Sequence, residues 1–200
     1  CYIGKTQLDR ALEAHPDHPF EIEWHPFQLN PDMPKGGMER REYLETKFGG
    51  RDNAVRVYGQ IAEAATAAGL ELDLGGIKRT PNTMDAHRLI HWAGIEGRQT
   101  AAVSRLFRAY FEDGKDIGDH TVLLDIAEAI EMDRTAIARL LASDADLDDL
   151  RKRDAHAREH GVTGVPTFIV ANQHALPGAQ PTALWGEVIA DIAKQFDAAP

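Results

Sequence analysis

The chain has one cysteine, and it is residue 1. Behind it Leu8, Ala11 and Leu12 recur at helical spacing, and His15, Pro16, Asp17 and Pro19 supply turn chemistry that ends the run. A cysteine at the start of a helix has a chemical meaning. Free N–H groups and the helix dipole favour thiolate over thiol, and the thiolate is the nucleophile. Taken alone, Cys1 carries no more weight than any residue at which a sequence happens to start. Other patterns are weaker. His156-Ala157-Arg158-Glu159-His160 spells the H-x-x-E-H of inverted zinc peptidases, but it falls in a last helical turn before Gly161, where His is favoured by the dipole alone. Asp144, Asp146, Asp148 and Asp149 lack the Gly and closing Glu of a calcium loop and read as first-turn acids. His15 and His18 flank a turn without partners, and Trp24, Trp92 and Trp185 read as core or groove lining. A single cysteine excludes an internal disulfide framework and a multi-cysteine zinc site, and no metal is expected. Phosphate-binding glycine loops, dinucleotide fingerprints and serine nucleophile elbows are absent from the sequence.

The elements that must position these residues fall into three blocks. Phe20 to Leu29 alternates Phe20, Ile22 and Trp24 with Glu21, Glu23 and His25, the period of a strand, and Asn30-Pro31-Asp32-Met33-Pro34 follows as a loop. A helical block comes next. Residues 38–48 are charged and helix-favouring, and 52–68 place Val55, Tyr58, Ile61, Ala65 and Ala68 on one stripe. Thr83 or Asp85 can cap a helix carrying Leu89, Ile90 and Trp92, and Val103, Leu106, Phe107, Tyr110 and Phe111 form a wide apolar face. Asp119 and Asp133 cap two more helices, and Ser143 or Asp144 opens another. Strand chemistry then returns: Gly161 to Pro166 leads into Thr167-Phe168-Ile169-Val170, with His174-Ala175-Leu176 as hairpin partner. Pro181 begins a final helix with Leu184, Trp185, Val188, Ile189 and Ile192 on its buried face. Helix, strand, helical block, hairpin and helix predict an α/β frame split by an all-helical insertion.

This order resembles the DsbA-like thioredoxin-fold oxidoreductases, most closely their FrnE-like branch. There the motif Cys-Pro-Trp-Cys-Tyr-Ile-Gly-Lys follows the first strand, and Cys1-Tyr2-Ile3-Gly4-Lys5 is similar to its second half. Trp24-His25-Pro26-Phe27-Gln28-Leu29-Asn30-Pro31, Asn82 to Arg88, Gly164-Val165-Pro166-Thr167-Phe168 and Gly178-Ala179-Gln180-Pro181 carry the likeness along essentially the whole chain. The resemblance implies a thioredoxin-like frame in residues 1–34 and 151–200, with the helical insertion in 35–150. It implies that Cys1 is the more buried, resolving thiol, and that the attacking cysteine lies three residues before it. The natural protein is then expected to continue upstream by that short motif and a central strand. Val165 and Pro166 become a cis-proline loop facing the cysteines, with the Val165 backbone open to strand-like pairing with a substrate peptide. For any proline taken singly, a trans turn is the ordinary form.

A concave site is expected where frame and insertion meet. His25, Asn30, Asn82, Thr83 and Arg88 are its candidate substrate-binding residues, joined by Gly164, Thr167 and Gln180. Gln180 precedes the last helix, whose N-terminus could hold a carboxylate of a peptide or of glutathione. Capping and loop hydrogen bonding is the competing role of each.

Composition limits the partners. In 200 residues, Lys plus Arg number 22 against 32 Asp plus Glu, giving a net charge of −10. An acidic chain is a poor partner for nucleic acid, which needs a basic face. No apolar run approaches the ~20 residues of a membrane span. The expected activity is thiol–disulfide exchange on protein or low-molecular-weight substrates. No organic cofactor is expected to be bound, glutathione being admitted as substrate or cosubstrate. Expected too are a monomer or homodimer and the cytoplasm, where a disulfide is catalytic rather than structural. Two alternatives remain: a glutathione-dependent transferase or isomerase of the kappa or 2-hydroxychromene-2-carboxylate isomerase kind, and a redox-silent binding or chaperone-like protein. Cys, Ser or neither at the position three before Cys1 separates the three.

Overall fold

The computed structural model describes residues 1–197. Residues 198–200, which the expected last unit includes, lie outside them. Helix α1 (Tyr2–Ala14) buries Leu8 and Ala11 against α9 (Thr182–Asp197), which presents Trp185, Ile189 and Ile192. Strands β3 (Thr167–Val170) and β4 (His174–Pro177) form an antiparallel hairpin with Phe168 opposite Leu176. Ala171 and Asn172 close it at φ 52° and 55°, the left-handed pair that a tight hairpin requires. Phe168 meets the buried Trp185 edge-on at 4.7 Å, joining hairpin and helix into one core.

A second core lies between these pieces. It is built by α4 (Met84–Ile95), α5 (Gln99–Phe111), α6 (His120–Ala129) and α7 (Arg134–Leu141), around Leu89, Trp92, Leu106, Leu123, Ile126 and Ile137. Asp119 and Asp133 cap α6 and α7, accepting from Thr121 N–H at 2.7 Å and from Thr135 N–H at 2.8 Å. Helix α8 (Leu147–Glu159) packs on α4. Ahead of them stand α2 (Arg40–Phe48) and α3 (Arg51–Ala67), anchored by a short ladder of β1 (Met38–Glu39) with β2 (Arg79–Thr80). Arg40 is the rivet here. It is buried, donates to Thr80 Oγ1 at 3.0 Å, to the Tyr110 hydroxyl at 3.1 Å and to Tyr58, and lies over both tyrosine rings.

Four expectations need correction. Residues 20–29 keep their alternation, Phe20 and Ile22 packing on the first core while Glu21 and Glu23 face water, but they form no ladder. Alternation reports a half-buried extended chain, whereas a strand also needs a neighbour, and no other described strand runs beside this segment. Val55 is 65% exposed, since α3 buries its small residues Ala54 and Ala65 instead, with Ala68 buried at its C-cap. Asp146, not Ser143 or Asp144, precedes α8, and its carboxylate accepts from Trp92 Nε1 at 2.8 Å. The expected boundary between 150 and 151 falls inside α8, which runs unbroken from Leu147 to Glu159.

Candidate functional site

Cys1 is the N-cap residue of α1, and no side chain caps the helix there. The first hydrogen bond of the helix runs from Lys5 N–H to the Cys1 carbonyl at 2.9 Å, which leaves the preceding N–H groups free beside the thiol. Cys1 is exposed. Cys1 is the first residue of the sequence, so this exposure does not bear on the burial expected of a resolving thiol. One turn on, Lys5 is buried and ion-paired with Asp9.

The loop before β3 lies against this turn. The Val165–Pro166 bond is cis. A Cβ on Gly4 would stand 2.9 Å from Pro166 Cγ, 3.3 Å from Phe168 Cζ and 3.4 Å from Ala179 Cα, so the backbone of α1 approaches the proline ring as closely as only glycine permits. Gly178 N–H donates to the Pro166 carbonyl at 2.7 Å, tying the segment before α9 to the same place. Thr167 Oγ1 donates to the Gly164 carbonyl, and Gln180 Nε2 to the Pro177 carbonyl, each at 2.7 Å. The Val165 N–H and C=O make no hydrogen bond among the described residues.

The junction residues are elsewhere and mostly occupied. Arg88 is 1% exposed and donates to the carbonyls of Leu140, Ser143 and Ala145 and to Asp85. It therefore holds the end of α7, and its expected place in a substrate groove is withdrawn because no donor reaches the surface. Asn82 donates to the Met33 carbonyl at 2.7 Å and accepts from Met84 N–H at 3.0 Å, capping α4 in place of the Thr83 and Asp85 side chains. Asp85 instead binds Arg88 and His120; burial would raise its carboxyl, yet these two partners hold it below the ordinary value. Thr83 has no side-chain cap bond, and Asn30 accepts from the Tyr43 hydroxyl at 3.1 Å. His25 is exposed, with Nδ1 3.3 Å from Arg153 Nη2 and Nε2 3.4 Å from Glu23. None of the five makes a hydrogen bond to α1 or to the Val165–Pro166 turn among the described residues.

The spacing of residues gave no sign of Glu112. The Tyr2 ring stacks on Phe107 and Phe111 of α5 at 5.3 and 6.2 Å, and its hydroxyl donates to the Glu112 carboxylate, whose other oxygen lies 3.2 Å from Arg108 Nε. Burial, then the Glu112 hydrogen bond, push the phenol up to about 12. Tyr2 and Glu112 are 110 residues apart, beyond any local pattern.

A helix opened by a cysteine, a proline loop packed on its first turn and a separate helical unit point to one family. Residues 1–190 match the DSBA-like thioredoxin domain. The chain belongs to this family. Its thioredoxin-like frame, α1 with β3, β4 and α9, is split by the helical insertion. The probable DsbA oxidoreductase SCO1869 from Streptomyces coelicolor superposes with a TM-score of 0.86 at 28% identity, over 100% of this chain and 86% of that one. The Bacillus subtilis (strain 168) protein YwbO is 26% identical over 201 residues, covering 98% of this chain and 92% of YwbO. A 2-hydroxychromene-2-carboxylate isomerase superposes with a TM-score of 0.72 at 16% identity, over 100% of this chain and 93% of that one, a likeness of fold alone. No described helix of this DSBA-like domain is long and apolar enough to cross a membrane.

Proposed function

We propose that the protein is a thiol–disulfide oxidoreductase in which Cys1 is the second, resolving thiol of a Cys-x-x-Cys pair. The observation that carries this reading is the contact of Pro166 with Gly4. It brings a loop with an unpaired Val165 backbone against the helix turn that Cys1 opens. In the reducing direction the attacking thiolate displaces one sulfur of a substrate disulfide and forms a mixed disulfide. The Cys1 thiolate then attacks the enzyme sulfur of that bond, the second substrate sulfur leaves as thiolate, and two electrons have passed to the substrate. Val165 would align an extended substrate by strand-like pairing, with Gly164, Thr167 and Gln180 shaping the same edge. Protein or low-molecular-weight disulfides are the substrate class, with glutathione admitted as a thiol cosubstrate or, as its disulfide, a substrate, in the cytoplasm and with no bound organic cofactor or metal.

The test is catalysis of insulin reduction, or of thiol-peptide oxidation, by the encoded protein with the residues preceding Cys1. Activity lost on Cys1→Ser supports the assignment, and wild-type turnover in that variant overturns it. Serine at the position three before Cys1 would move the assignment to the glutathione-dependent transferases and isomerases.

A further inference from the structure

Glu112 sits where its own helix does not favour it. It occupies the C-cap of α5, and a carboxylate at a helix C-terminus opposes the macrodipole. Arg108 answers part of that charge from an exposed position. The other partner is the Tyr2 hydroxyl, delivered across the boundary between the two cores by a ring clamped on Phe107 and Phe111. This is the one side-chain hydrogen bond between α1 and α5 with its C-cap among the described residues. Tyr2 is the first residue of α1, adjacent to Cys1, and a first turn with no side-chain cap is the part of a helix most prone to fray.

We infer that Tyr2 and Glu112 are positioning residues that hold the first turn of α1 in place, so that its free N–H groups stay aimed at the Cys1 thiolate. The inference rests on Cys1 being a reacting thiol. The charged groups around that turn are Lys5 and Asp9 on α1, Arg108 on α5 with Glu112 at its C-cap, and, in the chain as it stands, the Cys1 α-amino group, which burial lowers to about 6 and which is the same in every variant compared. Val165, Pro166, Phe168, Gly178, Ala179 and Gln180 contribute none. The phenol stays protonated across the range in which a thiol titrates, so the donor of the clasp is present whenever the thiolate forms.

The test is the pH profile of Cys1 alkylation by iodoacetamide in the chain as it stands, with far-UV circular dichroism to check the fold. Tyr2→Phe keeps the ring stack and loses only the donor. Its midpoint is expected to rise, and its rate near neutral pH to fall about three- to tenfold, the worth of one net hydrogen bond. Glu112→Leu is expected to shift the midpoint the same way. Removing a negative charge without a clasp would lower it, so the sign separates the two causes. Glu112→Gln keeps an acceptor while losing the charge, so its midpoint should not rise above wild type. A Tyr2→Phe profile that superposes on wild type overturns the inference, as does an equal shift from Glu112→Leu and Glu112→Gln. Alkylation needs no second cysteine, so a profile that moves as expected while insulin reduction fails would leave the clasp standing and remove the proposed function.

Discussion

Gly4→Ala probes the contact on which the functional reading depends. Two effects oppose one another. Alanine is favoured over glycine inside a helix by about 1 kcal/mol. Against that, the new methyl would lie 2.9 Å from Pro166 Cγ and 3.3 Å from Phe168 Cζ. The proline ring is closed on its own backbone and cannot swing aside, so overpacking should cost about 1–3 kcal/mol. The net expectation is a destabilisation of about 0–2 kcal/mol. Gly59→Ala is the internal control: it lies in the interior of α3, a Cβ there meets nothing within 4 Å, and the change should stabilise by about 1 kcal/mol. Thermal unfolding followed by circular dichroism should therefore place Gly4→Ala roughly 2 to 12 °C below Gly59→Ala, at about 2–4 °C per kcal/mol for a chain of this size. If Gly4→Ala were as stabilising as Gly59→Ala, the first turn of α1 would not rest on the Pro166 loop.

Two further outcomes concern the helical unit. Arg88→Met should cost at least about 3 kcal/mol in urea unfolding, because the carbonyls of Leu140, Ser143 and Ala145 lose a buried donor together; Arg88→Lys should not restore them, since an ammonium cannot span the fork. Burial holds His87 down to about 4 from 6.5, the nearby Asp154 and Phe27 backbone offsetting part of it. With the folded value below the unfolded one, its contribution is complete above pH 6.5 and is lost as the pH falls towards about 4, a loss of about 3 kcal/mol. His87→Gln should flatten that limb of a stability-against-pH curve, and an unchanged slope would show that other groups set it.

What could be read from the sequence was what depends on near neighbours. The caps of Asp119 and Asp133 close within three residues, and both helices start where those aspartates predict. The hairpin needs only its own turn and the facing residues Phe168 and Leu176. Distant partners decided the rest. Val55 repeats at the right period but finds nothing to pack on, and the segment 20–29 has the alternation of a strand without a ladder beside it. Asp146, rather than Ser143 or Asp144, precedes α8, where its carboxylate meets the Trp92 indole from another helix. The site divides the same way. The cis bond before Pro166 was readable through a motif, whereas Arg88 and Asn82 had residue types suited to binding and proved to be spent on carbonyls and a helix cap. Glu112 had no local signal at all.

The role assigned to Cys1 is tested most directly by trapping. A resolving thiol replaced by serine cannot release the mixed disulfide, so the Cys1→Ser form of the encoded protein, mixed with a peptide disulfide and analysed by mass spectrometry, should accumulate a covalent enzyme–peptide adduct that dithiothreitol removes. No adduct, together with wild-type turnover in the same variant, would contradict the assignment.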